Sequence, residues 1–134
     1  MTAEIHVSFP GGKRVDAEVG GHLIRTDQRR EAGGAETAPE PFTLFAASIG
    51  TCAGLYALGF CRARELPTEG LSLRESLVFD ENTHTLTAVD IDVHLPRGFP
   101  ERYRDALVRA VEGCAVKKAI QARPEFRVRT SATA

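Results

Sequence analysis

The chain of 134 residues has no basic block longer than a pair, no Cys-x-x-Cys, no Gly-x-Gly-x-x-Gly and an odd number of cysteines. Each absence removes a class of function. With 17 basic against 18 acidic side chains and a net charge of -1, the charge footprint needed to grip a nucleic acid or an anionic membrane surface is missing. Nucleotide binding loses its glycine-rich cradle, and Gly11-Gly12 and Gly20-Gly21 read as turns. The four histidines, His6, His22, His84 and His94, include no two at ligand spacing, so neither a zinc site nor any other metal or cofactor is expected. Ser48 and Ser131 lack the context of a nucleophile elbow. The opening residues Met1 to His6 have neither the basic head nor the apolar run of a signal peptide, which makes the cytoplasm the expected compartment.

What is present describes one domain, 1–134, with 43% hydrophobic and 26% charged residues. That length can build a core without disulfide staples. The three cysteines, Cys52, Cys61 and Cys114, suit a reducing compartment in which thiols are used chemically.

Charge is also missing locally. Pro41 to Cys61 is a run of 21 uncharged residues, long enough for a membrane span. About half of it is Ala, Gly, Ser or Thr, which argues instead for a central helix, roughly 42 to 64, enclosed by protein on nearly all sides. Pro41 fits its first turn and Pro67 follows its end.

Around this helix the polarity alternates. Ile5, Val7 and Phe9, then Val15, Ala17 and Val19, predict a hairpin with one wet face, and His22 to Ile24 a third strand. Asp27 to Pro39 is a long surface loop, a kind that is usually functional or mobile. Leu71, Leu73, Leu77 and Phe79 share strand parity, and Val89 to Leu95 alternate after the turn at Asp80 to His84, so a second hairpin follows. Pro100-Glu101 opens a helix through Tyr103, Leu107 and Val111 that Gly113 caps; a short helix begins at Cys114, and Phe126 and Val128 suggest a final strand. The class is α+β, antiparallel strands around a long buried helix.

Helical phase separates two of the thiols. Cys61 lies nine positions beyond Cys52, half a turn out of phase and about 13 Å along the axis, too far for a disulfide within one straight helix; it reads as core. Cys114 opens a helix whose next turn carries Lys117 and Lys118. Helix terminus and ammonium groups both favour a thiolate, which makes Cys114 the most acidified of the three on local sequence, although burial under the short helix competes with that reading. Cys52, in mid-helix, gains little from its own dipole and needs an arginine from elsewhere.

The run Pro41-Phe-Thr-Leu-Phe-Ala-Ala-Ser-Ile-Gly-Thr-Cys52, continuing Ala-Gly-Leu-Tyr-Ala-Leu, resembles the central-helix signature of OsmC/Ohr-type proteins. Cys114-Ala-Val-Lys-Lys-Ala resembles their second-cysteine helix, and Gly11 to Arg14, Gly33-Gly34 and Pro67 to Leu71 fall in matching order. The resemblance covers essentially the whole chain. It implies an intertwined homodimer with active sites at the subunit interface, and a thiol peroxidase acting on organic hydroperoxides. Cys52 is then the peroxidatic thiolate and Cys114 the resolving thiol, restored by a dithiol reductant that is lipoyl-linked in the Ohr branch. The arginine that serves the thiolate comes from the N-terminal region of the family, where Arg14 is the nearest match and Lys13 its neighbour. One departure stands out. Members with peroxidase chemistry carry a glutamate after the proline that opens the helix, and here that place is Phe42, with Glu40 two residues earlier. Two other readings follow from that departure: a dimeric module that binds an apolar ligand, and a peroxide-responsive thiol switch without steady turnover.

Overall fold

The computed structural model describes residues 3–133. Its elements are β1 (His6–Gly11), β2 (Arg14–Val19), β3 (His22–Thr26), α1 (Pro41–Ala63), β4 (Ser72–Phe79), β5 (Leu86–His94), α2 (Arg104–Glu112) and α3 (Ala115–Gln121), with short 3-10 turns at Arg30–Ala32 and Glu101–Tyr103. The order is the α+β one that the sequence predicts. The chain forms two compact units, 1–47 and 48–134, with the boundary inside α1.

In the N-terminal unit β1, β2 and β3 form an antiparallel meander in the order of the chain. The register pairs Val7 with Ala17 and Asp16 with Arg25. The expected division into a wet and a dry face does not hold in a single chain. Phe9, on the apolar parity, is 79% exposed, while Asp16, on the polar parity, is 6% exposed. Alternation fixes which residues share a face, but another layer has to cover that face.

The loop after β3 is built around a carboxylate. Asp27 is fully buried; its Oδ2 accepts from the Thr37 hydroxyl at 2.6 Å and the Thr37 amide at 3.1 Å, and its Oδ1 accepts from the Gln28 amide at 2.7 Å. These bonds hold its pKa down at about 2, the Thr37 hydroxyl contributing most. Gly34 lies so close to the Gln28 carbonyl that a Cβ there would stand 2.0 Å from the oxygen, so the loop closes only with glycine at that place. The long loop is thus a hydrogen-bonded structure.

In the second unit β4 and β5 pair antiparallel, Leu73 with Val93 and Glu75 with Ile91. Their inner face packs with Leu107 and Val111 of α2 against Ala53, Ala57 and Phe60 of α1. Small residues on this stripe of α1 allow close approach. The rest of the helix is not enclosed: Leu55 is 64% exposed and Tyr56 37%. One chain therefore supplies cover along a single stripe, and the enclosure expected on nearly all sides is not completed by it. By length and composition α1 passes for a membrane span.

The expected final strand does not form. Residues 123–133 are irregular, with Phe126 87% and Val128 94% exposed. Arg123 has a left-handed φ of 49° and precedes Pro124, which breaks the approach, and an alternating segment without a neighbouring ladder has no reason to stay extended.

Candidate thiol site

All three cysteines are free thiols, and their surroundings differ. Cys61 is completely buried in α1, and burial pushes its thiol up, with partial relief from the Arg64 guanidinium. That guanidinium lies 3.6 Å above the Phe60 ring and donates to the Phe60 carbonyl at 3.3 Å. Cys61 is the core residue that the burial tendency of free cysteine predicts.

Cys114 sits in the short connection between α2 and α3. The Gly113 amide donates to the Ala110 carbonyl at 3.2 Å and the Cys114 amide to that of Val111 at 3.1 Å, which ends α2. Gly113 does so at φ -84°, so its role does not depend on a left-handed conformation. Cys114 then becomes the N-cap of α3, its Sγ accepting from the Lys117 amide at 3.4 Å. Only 2% of the residue is exposed. Lys117 Nζ turns back to the Glu112 carbonyl at 3.2 Å.

Cys52 faces the same turn. Hydrogen bonding from the Val116 amide, and more weakly from Cys114 and the Ala115 amide, holds Cys52 below the ordinary thiol range against the opposing effect of burial. The start of α3 acidifies Cys52 in addition to being capped by Cys114, and the mid-helix thiol that gains nothing from its own dipole receives amide donors from another helix. Amides that have no partner within their own helix are strong donors to an anion. The sequence signal was incomplete because α3 is remote in the chain from Cys52. Cys52 is partly exposed, while Cys114 is buried.

A cavity of about 750 Å³ adjoins Cys114, walled by β5 and by α2 and α3, with Ile91, Val93, Leu107 and Val111 among its apolar lining and Arg104 and Lys117 among its charged groups. On the inner face of β4, Glu75 breaks the apolar parity of Leu73 and Leu77. Its Oε1 fills the space where a Cβ on Gly50 would stand, 2.3 Å away, and its Oε2 is buried with no partner among the described residues. Burial raises its pKa, partly offset by a bond from the Gly50 amide. The interrupted alternation is the sequence signal that marks it.

Arg14 lies on β2 in the N-terminal unit, where its guanidinium is 3.8 Å from the carboxylate of Asp16. Asp16 Oδ1 is buried without a partner among the described residues. The neighbouring Lys13 donates to the Ala32 carbonyl at 2.6 Å and is committed to the loop. Phe42, where the resemblance calls for glutamate, stacks at a tilt on Phe45 with ring centroids 5.5 Å apart. Among the described residues no group of His, Cys, Asp or Glu is arranged to hold a metal ion.

The chain is an α+β protein with an acidified thiol on its long central helix. The profile of the OsmC-like protein family matches residues 33–129, and the chain belongs to that family. The fold is shared with a candidate osmotic stress induced and detoxification response protein from Psychrobacter arcticus 273-4, at 21% identity and TM-score 0.74 over 89% of this chain and 88% of that one. It is shared with an organic hydroperoxide resistance protein OsmC from Legionella pneumophila, at 23% identity and TM-score 0.61 over 90% of both chains. The organic hydroperoxide resistance protein OhrB of Bacillus subtilis matches at 21% identity and TM-score 0.55 over 92% and 93%. At these identities the likeness is one of fold. No curated protein matches the chain.

Proposed function

We propose that the protein is a homodimeric thiol peroxidase that reduces organic hydroperoxides, with Cys52 as the attacking thiolate and Cys114 as the resolving thiol. The observation that carries this reading is the Cys52 thiol itself: it is partly exposed, and hydrogen bonding from the start of α3 and from Cys114 lowers its pKa. The thiolate attacks the terminal peroxide oxygen, an alcohol leaves, and Cys114 converts the sulfenic acid into a disulfide before further oxidation. A dithiol, lipoyl-linked in the related Ohr proteins, then restores both thiols by exchange. The resemblance gives Arg14 the role of serving the thiolate, and Arg14 keeps a carboxylate partner in Asp16 at 3.8 Å. Two copies cover the apolar faces of α1 and β1 that one chain leaves exposed, so α1 reads as a shared core helix.

Consumption of cumene hydroperoxide with dihydrolipoamide as reductant tests the reading. Steady turnover that Cys52→Ser abolishes supports it, and unchanged turnover in that variant sinks it. The cavity beside Cys114 favours a second reading, a dimeric module that binds an apolar ligand. Native mass spectrometry of the purified protein separates the two, since a tightly held ligand without turnover belongs to the module. Oxidation without any supporting dithiol would mark a thiol switch instead.

A further inference from the structure

Glu75 presses on the turn of α1 that carries Cys52. Its Oε1 stands 2.3 Å from where a Cβ on Gly50 would be, and Gly50 precedes Cys52 by two residues, which is about 3 Å along the helix and about 200° around it. Carboxylate and sulfur thus flank one turn of helix, about 10 Å apart. The second oxygen, Oε2, is buried with no partner among the described residues. The elements around it offer little charge. From Pro41 to Cys61 α1 has none, its titratable side chains there being Cys52, Tyr56 and Cys61. On β5 the residue opposite Glu75 is Ile91, while Asp90 and Asp92 pair with Ser76 and Arg74 on the other parity. From α2, Leu107 and Val111 join this core, and Arg104, Asp105, Arg109 and Glu112 are exposed. Two negative charges on either side of one apolar turn repel each other through a medium that screens poorly.

We infer that Glu75 sets the thiolate content of Cys52: ionised, it holds the thiolate back, and protonated, it releases it. Glu75 is a positioning residue in this sense, acting through Cys52 and touching neither peroxide nor reductant. Burial raises its pKa and brings its titration toward the range of a thiol that is itself held low. As pH falls through the Glu75 titration, the repulsion is relieved while Cys52 begins to take up protons. The thiolate content therefore declines more gradually than that of a lone thiol. The inference rests on Cys52 being the reacting thiol of the peroxidase reading above, and under that reading it makes the attack less sensitive to mild acidification.

The test is the pH profile of alkylation by iodoacetamide in the wild type, Glu75→Gln and Glu75→Leu, with quenched samples mapped by peptide so that only Cys52 is counted. Glu75→Leu restores the apolar parity of Leu73 and Leu77 and keeps the test open if the glutamine variant does not fold, which thermal melting reports. Both variants are expected to react about tenfold faster than the wild type where Glu75 is ionised and Cys52 is still mostly thiol. All three proteins are expected to agree on the alkaline plateau, where Cys52 is fully thiolate, and well below the Glu75 titration, where the wild-type carboxyl is neutral. A merely structural effect of the substitution would instead change the rate at every pH. Superimposable profiles, or a constant ratio between variant and wild type at all pH, would overturn the inference. Alkylation needs neither peroxide nor reductant, so that result would leave the peroxidase reading intact, and failure of peroxide turnover would leave the profiles unchanged.

Discussion

Hydrogen bonding from the Val116 amide is the strongest influence lowering the pKa of Cys52, linking the start of a seven-residue helix to the middle of a long one. Val116 is the second residue of α3, and proline is tolerated in the first turn of a helix, where its missing N–H breaks no helical bond. Val116→Pro therefore removes the donor and leaves the helix. Losing one hydrogen bond to a charged sulfur is expected to slow alkylation of Cys52 near neutral pH about tenfold. Val116→Ala keeps the N–H and serves as the control with an unchanged rate.

Glu75 stands against Gly50 in apolar surroundings that raise its pKa. A carboxyl whose folded pKa exceeds its unfolded one costs stability as pH rises from the ordinary glutamate value through the raised one, and nothing below both. Glu75→Gln keeps the shape without the charge. Thermal melts are expected to show the variant more stable than the wild type at neutral pH, with the difference vanishing near about pH 4.

Asp27 gives the opposite sign. Its pKa is held at about 2 against an ordinary 3.8, chiefly by the Thr37 hydroxyl. The stabilisation is fully present above the unfolded value and is lost as pH falls from there toward the folded one. Asp27→Asn is expected to be less stable than the wild type at neutral pH and to meet it near the bottom of that window, as acid-unfolding curves would show.

Leu55 projects from α1 with 64% of its surface exposed, although α1 carries no charge between Pro41 and Cys61. If a second copy covers that face, a charge there disrupts it. Sedimentation is expected to give the mass of two chains for the wild type and of one for Leu55→Asp, the folded core of the second unit being preserved.

Much of this was legible in the sequence, for identifiable reasons. The gap in charge around Cys52 marked α1, and alternation marked both hairpins, because these signals are local. Half a turn of helical phase separated Cys61 from Cys52, and the burial tendency of free cysteine assigned it to the core. Two things were not legible. The amides of Ala115 and Val116 that lower Cys52 are remote in the chain, and only the tertiary fold brings them to it. The segment with Phe126 and Val128 has the pattern of a strand and no partner to pair with. Glu75 was visible as the break between Leu73 and Leu77, but its place against Gly50 depends on how β4 meets α1.

The most direct measurement is non-reducing peptide mapping after one equivalent of cumene hydroperoxide is added to the reduced protein. A single disulfide between Cys52 and Cys114, with Cys61 still a thiol, is the expected result. Cys52 recovered as a free thiol, or oxidised to sulfinic acid with Cys114 still reduced, would contradict the assignment of the pair.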